Sequence, residues 1–129
     1  MILIAILAVG GAAIFLIQKR SKKFSRRERE LIAREWESIG QKVDKEPKHA
    51  LIEADKLLDF ALKRKGYAGS LGDKLKAAHC LFTRSDEVWE AHKLRNRAAH
   101  EVGFSVNEEQ ARKAISSIKK ALWDLGLPL

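Results

Sequence analysis

The first seventeen residues constrain this chain more than any other feature. Residues 1–17 (MILIAILAVGGAAIFLI) contain no charged side chain. Within a bilayer every backbone N–H and C=O needs a partner inside its own segment, so an apolar run of this length is expected to be helical. Seventeen residues span roughly 25 Å, at the short end of what crosses a hydrocarbon core. We predict a single transmembrane anchor, formed by Ile2, Leu3, Ile4, Ile6, Leu7, Val9, Ile14, Phe15, Leu16 and Ile17.

A basic juxtamembrane segment, residues 18–29, follows directly. Because Lys and Arg near a membrane end are retained on the cytoplasmic side, the N-terminus is expected outside and residues 18–129 in the cytoplasm. The same cations attract anionic headgroups, so the lipid bilayer is an expected partner. A cleavable signal peptide and a soluble core helix are the alternatives for residues 1–17. The residues that we assign to topology or headgroup contact are Lys19, Arg20, Lys22, Lys23, Arg26, Arg27 and Arg29.

Charge is distributed unevenly along the 129 residues. Residues 19–29 hold seven basic side chains against Glu28 alone, whereas residues 30–129 hold 18 basic and 16 acidic side chains. Residues 30–129 are therefore close to neutral, and the part of the chain after the anchor is long enough for one domain. We attribute the charge of the basic segment to membrane topology, and nucleic-acid binding is the alternative explanation. The single cysteine, Cys80, excludes a disulfide framework within the chain, and we expect it to be a small buried hydrophobe.

Beyond the basic segment, apolar residues recur at intervals of three and four, and no alternating strand pattern competes. The sequence therefore predicts an all-α fold: the transmembrane helix, then an up-and-down bundle of four long helices plus one short helix over residues 25–129. Ser85 and Asn107 are expected to be N-caps. The sequence leaves open whether the anchor and the first soluble helix form one continuous helix. The expected helices cover residues 25–43, 48–65, 71–82, 86–102 and 107–125.

One ridge of the fourth soluble helix is unusually polar. Trp89, His92, Asn96 and His100 advance by three, four and four positions, a spacing that places them on one face. In a structural interpretation, Asn96 and His100 form hydrogen bonds across the bundle, or to a loop, and fix the packing of the helices. A metal site of His79, His92 and His100 lacks a carboxylate or thiol at suitable spacing, so we expect neither a metal nor a cofactor.

The same helix carries a motif with a known counterpart. Residues 94–101 (LRNRAAHE) resemble the signature of the HEPN superfamily, compact helical bundles in which an Arg, a following polar residue and a His lie on a late helix. The resemblance covers roughly residues 25–126 and extends to the helix order. It implies metal-independent RNA cleavage by dimers in active members. His100 would be the acid/base, Arg95 would stabilise the phosphate charge and Asn96 would orient the reacting groups.

Many HEPN-like domains are binding or scaffold modules, which gives the leading functional interpretation. We expect a membrane-anchored module that binds RNA, a nucleotide or a protein partner, with a homodimer through the fourth soluble helix as a further candidate. A membrane-tethered endoribonuclease that uses Arg95, Asn96 and His100 is the first alternative. A purely structural adaptor of a membrane complex is the second.

Overall fold

The computed structural model of the chain describes residues 23–129, which form five helices packed as a bundle and no strand. This confirms the all-α class and the prediction of four long helices and one short one. A 3₁₀ turn at His79–Leu81 connects the third and fourth helices. The helices are α1 (Arg26–Lys42), α2 (Pro47–Arg64), α3 (Leu71–Ala77), α4 (Ser85–His100) and α5 (Glu108–Asp124).

The predicted anchor lies outside the described residues, as does the basic segment through Lys22. Of the helices in residues 23–129, none combines the length and the apolar character that crossing a bilayer requires.

The central helix of the bundle is α2, which packs against each of the other four helices. Its buried side chains recur at intervals of three and four, so that they form one continuous apolar face. Isoleucines of α1 and aliphatic side chains of α5 close over this face. Burying each large aliphatic side chain contributes about 1.5–3 kcal/mol. The fully buried residues include Leu51, Leu58 and Leu62 of α2, Ile32 and Ile39 of α1, and Ile118 and Leu122 of α5.

Capping boxes fix the starts of three helices. Ser25, Ser70 and Asn107 each accept a hydrogen bond from the backbone N–H three residues later, and the side chain at that later position accepts one in return. These reciprocal bonds satisfy backbone donors that the first turn of a helix leaves free. The prediction of Asn107 as an N-cap is confirmed.

The region between α3 and α4 departs from the prediction. Ser85 is not an N-cap, because α4 begins at Ser85 itself and its Oγ lies 2.7 Å from Nδ1 of His79. The expected helix over 71–82 ends at Ala77, and the backbone is extended by Phe82. Asp124 of α5 accepts hydrogen bonds from the backbone N–H and hydroxyl of Thr83, which fixes the turn into α4. The helix therefore ends five residues earlier than expected, and a long-range contact fixes the path of the chain into α4.

Two further expectations are corrected in the same part of the chain. Cys80 is exposed rather than buried, because the 3₁₀ turn directs it away from the core. Helix α4 ends at His100, two residues before the expected end. The next residue, Glu101, is extended, and Gly103 then turns the chain with a φ of 80°, a value that glycine adopts readily.

Candidate functional site

The polar ridge of α4 meets a buried carboxylate on α2. Asp55 is only 3% exposed, and Nδ1 of His92 lies 3.1 Å from its Oδ1 atom. Asp55 stands on the apolar face of α2, four residues after Leu51 and three before Leu58. Sequence reasoning missed Asp55, although a carboxylate within an otherwise apolar stripe is a signal that could have found it.

Arg95 and Asn96 extend this contact into a network of four side chains. Nη1 of Arg95 donates to Oδ1 of Asn96 at 3.0 Å, and Nδ2 of Asn96 lies 3.3 Å from Nε2 of His92. Because the oxygen of Asn96 is used by Arg95, its amide nitrogen must donate to Nε2 of His92. Nδ1 of His92 then carries the proton and donates to Asp55. The direction of donation thus runs from Arg95 through Asn96 and His92 to Asp55.

Arg95 also neutralises Asp55 directly. Its Nε atom lies 3.3 Å from Oδ2 of Asp55, an ion-pair distance. The N–H at that position is not aimed at the oxygen, so Nε is a buried donor that makes no hydrogen bond within residues 23–129. The side chain of Arg95 as a whole is 25% exposed. The guanidinium is therefore held by Asp55 and Asn96 while part of it stays accessible.

This network forms one wall of an open cleft of about 560 Å³. The cleft lies between α2, the loop that follows α2, the start of α3, and α4. Trp89 contributes a half-buried indole whose ring centroid is 5.8 Å from that of His92. The lining residues comprise Asp55, Lys56 and Asp59 of α2, residues 69–72, and Trp89, His92, Lys93, Arg95 and Asn96 of α4.

The loop side of the cleft depends on Gly69. Its φ of 97° lies in the left-handed region, and a Cβ at this position would approach Oδ2 of Asp73 to 2.7 Å. That oxygen accepts a hydrogen bond from the backbone N–H of Ser70. Hydrogen bonds from Ser70 hold the pKa of Asp73 below its usual value. A side chain at position 69 would therefore disturb the capping box that begins α3.

The charges around the cleft leave an excess of cations. Asp55 is balanced by Arg95, and Asp59 by the buried ammonium of Lys74 at 2.6 Å. Lys56 then remains without an ion pair in the described chain, and Lys93, which is also exposed, forms a surface ion pair with Glu90. A cleft with a held guanidinium, two lysines and an indole suits an anion that carries a flat apolar group.

His100 is separated from this arrangement. It is exposed at the last residue of α4 and does not line the cleft, and its side chain forms no hydrogen bond within residues 23–129. The expected polar contact across the bundle is made by Asn96 through His92 and Asp55, without His100. The structure thus brings two of the three motif residues, Arg95 and Asn96, into one site.

The three histidines considered as metal ligands are not brought together. His79 contacts Ser85, His92 belongs to the buried network, and His100 is exposed. In the described part of the chain, no three side chains of His, Cys, Asp or Glu are grouped so that they could hold a metal ion. Comparison with protein-family models, with curated proteins and with solved structures found no match to this chain.

Proposed function

We propose that this chain is a membrane-tethered, HEPN-like binding module whose cleft takes an anionic ligand, a nucleotide or a short stretch of RNA. The observation that carries the proposal is the guanidinium of Arg95, which lines the cleft, is held by Asp55 and Asn96, and keeps part of its side chain exposed. The accessible N–H groups of this guanidinium can donate to an acceptor supplied by a ligand.

The chemistry of the surrounding groups supports a phosphate-bearing ligand. A guanidinium presents planar donors that match phosphate oxygens in two-point fashion. Asp55 and Asn96 restrict the position of Arg95, so less side-chain freedom is lost when an anion binds. Lys56 and Lys93 add point charges, and Trp89 offers a surface on which a base can stack.

The same geometry favours binding over cleavage within one chain. A general acid or base must lie within hydrogen-bond reach of the reacting group. Both ring nitrogens of His92 are already used, by Asp55 and by Asn96, and His100 does not line the cleft. An endoribonuclease of this design would need His100 delivered by a second copy, for example across a dimer formed by α4.

Binding can be tested with the full-length protein in detergent micelles and a fluorescent, short single-stranded RNA, with a labelled nucleotide run in parallel. We expect Arg95→Gln to weaken binding by about tenfold or more, since a charge-assisted hydrogen bond is worth about 1.5–3 kcal/mol. Arg95→Lys keeps the charge but loses the planar guanidinium that can donate two parallel hydrogen bonds, so it should also weaken binding. Urea denaturation would establish that each variant is folded at the assay temperature.

Arg97→Gln is the matched control. Arg97 is exposed, pairs with Glu101, stacks on Phe104 and does not line the cleft. Its replacement should leave affinity unchanged. Equal affinities for Arg95→Gln and Arg97→Gln would refute the assignment of the cleft.

Cleavage requires a separate assay. The full-length protein and His100→Ala would be incubated with labelled RNA in EDTA, at concentrations high enough to form dimers. Cleavage that is lost in His100→Ala would replace the binding proposal by the endoribonuclease. Intact RNA that is nevertheless bound supports the module, and intact, unbound RNA would favour the structural adaptor.

A further inference from the structure

A groove between α1 and α2 exposes two large apolar side chains. Leu31 is 38% exposed and Phe60 is 40% exposed, and both line this groove of about 310 Å³. Ile39 and Leu57, which belong to the core, also line it. The groove lies on the α1–α2 side of the bundle, whereas the cleft lies between α2 and α4.

Cations surround these two side chains. Arg27 and Arg34 lie four residues before and three residues after Leu31, and Lys56 and Lys63 have the same spacing around Phe60. In a helix, residues at these intervals are surface neighbours. All four cations are exposed, and none forms an ion pair within residues 23–129.

The carboxylates nearby are mostly neutralised. Glu28 is paired with Arg64, and Glu53 with both Lys42 and His49. Glu35, which lines the groove, is left without an ion pair in the described chain. The surface formed by Leu31, Phe60, Arg27, Arg34, Lys56 and Lys63, here called the α1–α2 patch, therefore combines apolar side chains with a net positive charge.

We propose that the bundle docks on an anionic lipid surface through the α1–α2 patch. Apolar side chains that enter the headgroup region, ringed by Lys and Arg that contact lipid phosphates, are the combination that holds proteins on anionic bilayers. RNA would contact the cations but leave Leu31 and Phe60 in water. An anionic lipid surface would contact both the cations and the apolar side chains of the patch. Arg27 of the patch belongs to the basic juxtamembrane segment, so the patch begins close in sequence to the proposed anchor.

Docking can be measured by a fluorescent probe on the full-length chain. With Cys80→Ala to remove the exposed native thiol, Phe60→Cys would carry an NBD label, and Ser116→Cys on α5 would carry it in the control protein. Each protein would be reconstituted in phosphatidylcholine vesicles with or without phosphatidylserine, and with doxyl-labelled lipid as the quencher. We expect a blue shift and quenching at position 60 in the anionic vesicles only, and neither change at position 116.

Charge reversal provides the second readout. Arg34→Glu with Lys63→Glu alters two exposed residues that do not line the cleft, so it should abolish quenching at position 60 while leaving ligand binding by the cleft unchanged. Far-UV circular dichroism would show that the labelled and charge-reversed proteins keep their helices. A probe at position 60 that stays in water, or equal quenching at positions 60 and 116, would overturn the proposal.

The outcomes separate docking from the anchor and from the cleft. Retention after an alkaline carbonate wash reports on the anchor, RNA affinity reports on the cleft, and quenching at position 60 reports on the patch. If the chain is not retained, vesicles added to the dissolved protein still test the patch. A spectral change caused by RNA, without quenching by doxyl lipid, would assign the patch to nucleic acid and refute docking.

Discussion

Among single residues, Asp55 has the largest consequence for the candidate site. Its buried carboxylate accepts a hydrogen bond from His92 and lies at ion-pair distance from Arg95. Replacing Asp55 by Asn would leave Arg95, which is 25% exposed, without its counter-ion, and losing such a charge-assisted contact typically costs about 1–3 kcal/mol. We expect Asp55→Asn to lower the free energy of unfolding by about this amount in urea denaturation.

Asp44→Asn is the control for this prediction. Asp44 is exposed and contacts only the backbone N–H of Lys45 among the described hydrogen bonds. Its replacement should change stability by no more than about 0.5 kcal/mol. If the two variants were equally stable, the network around Asp55 would not contribute to the folded state as proposed.

The residues of the candidate site differ in how far the sequence predicts them. Arg95 and Asn96 follow from the polar ridge and the motif on α4, because residues at helical spacing share a face whatever the rest of the chain does. The partner carboxylate, Asp55, lies 37 positions before His92, and only the packing of α4 on α2 brings them together. His100 satisfies the same helical spacing, yet it lies where α4 ends and its side chain is exposed.

At the scale of elements, the start of α5 depends on Asn107. Its side chain accepts a hydrogen bond from the backbone N–H of Gln110 at 2.8 Å, and the amide oxygen of Gln110 accepts one in return. Losing a side-chain cap of this kind costs about 1 kcal/mol. Asn107→Ala should therefore lower the midpoint of thermal unfolding, measured by circular dichroism at 222 nm.

Ser116→Ala serves as the control within the same helix. Ser116 is exposed in the interior of α5, and alanine is the stronger helix former. We expect this variant to be as stable as the unmodified protein or slightly more stable. A loss equal to that of Asn107→Ala would mean that the cap is not the cause.

The contact between the end of α1 and α2 gives stability a pH dependence. Lys42 donates a hydrogen bond to Glu53, which holds the pKa of that carboxyl below its usual value. A lowered pKa in the folded chain contributes stability above the unfolded pKa, and that contribution is lost as the pH falls through the folded pKa. Denaturant unfolding from about pH 6 to about pH 3 should therefore show a smaller loss of stability for Glu53→Gln than for the unmodified protein.

Glu109→Gln supplies the comparison. Glu109 is an exposed residue in the first turn of α5, with no ion pair in the described chain. Glu109→Gln should change the pH dependence of the free energy of unfolding less than Glu53→Gln does. Identical slopes for Glu53→Gln and the unmodified protein would contradict the role given to Lys42.

At the scale of the whole molecule, the prediction concerns where the protein resides. If residues 1–17 form the anchor, the full-length chain should sediment with membranes, resist an alkaline carbonate wash and dissolve in detergent, because an apolar helix of this length is costly to expose to water. Protease added to sealed inverted vesicles should then digest the C-terminal domain, because the positive-inside rule predicts that this domain is cytoplasmic. Full-length chain that is freely soluble after lysis without detergent would refute the anchor.

The sequence by itself determined the helical class, the four long helices and the cap of α5, because helical periodicity and capping depend on residues three and four positions apart. Tertiary structure decided what local spacing cannot encode. The packing of α4 on α2 gave Arg95 and Asn96 their partners and made Asp55 part of the site. The turn into α4 is fixed by the contact of Thr83 with Asp124, two residues that lie 41 positions apart. Such contacts form only when distant segments meet, so they follow from the fold as a whole and not from any one stretch of sequence.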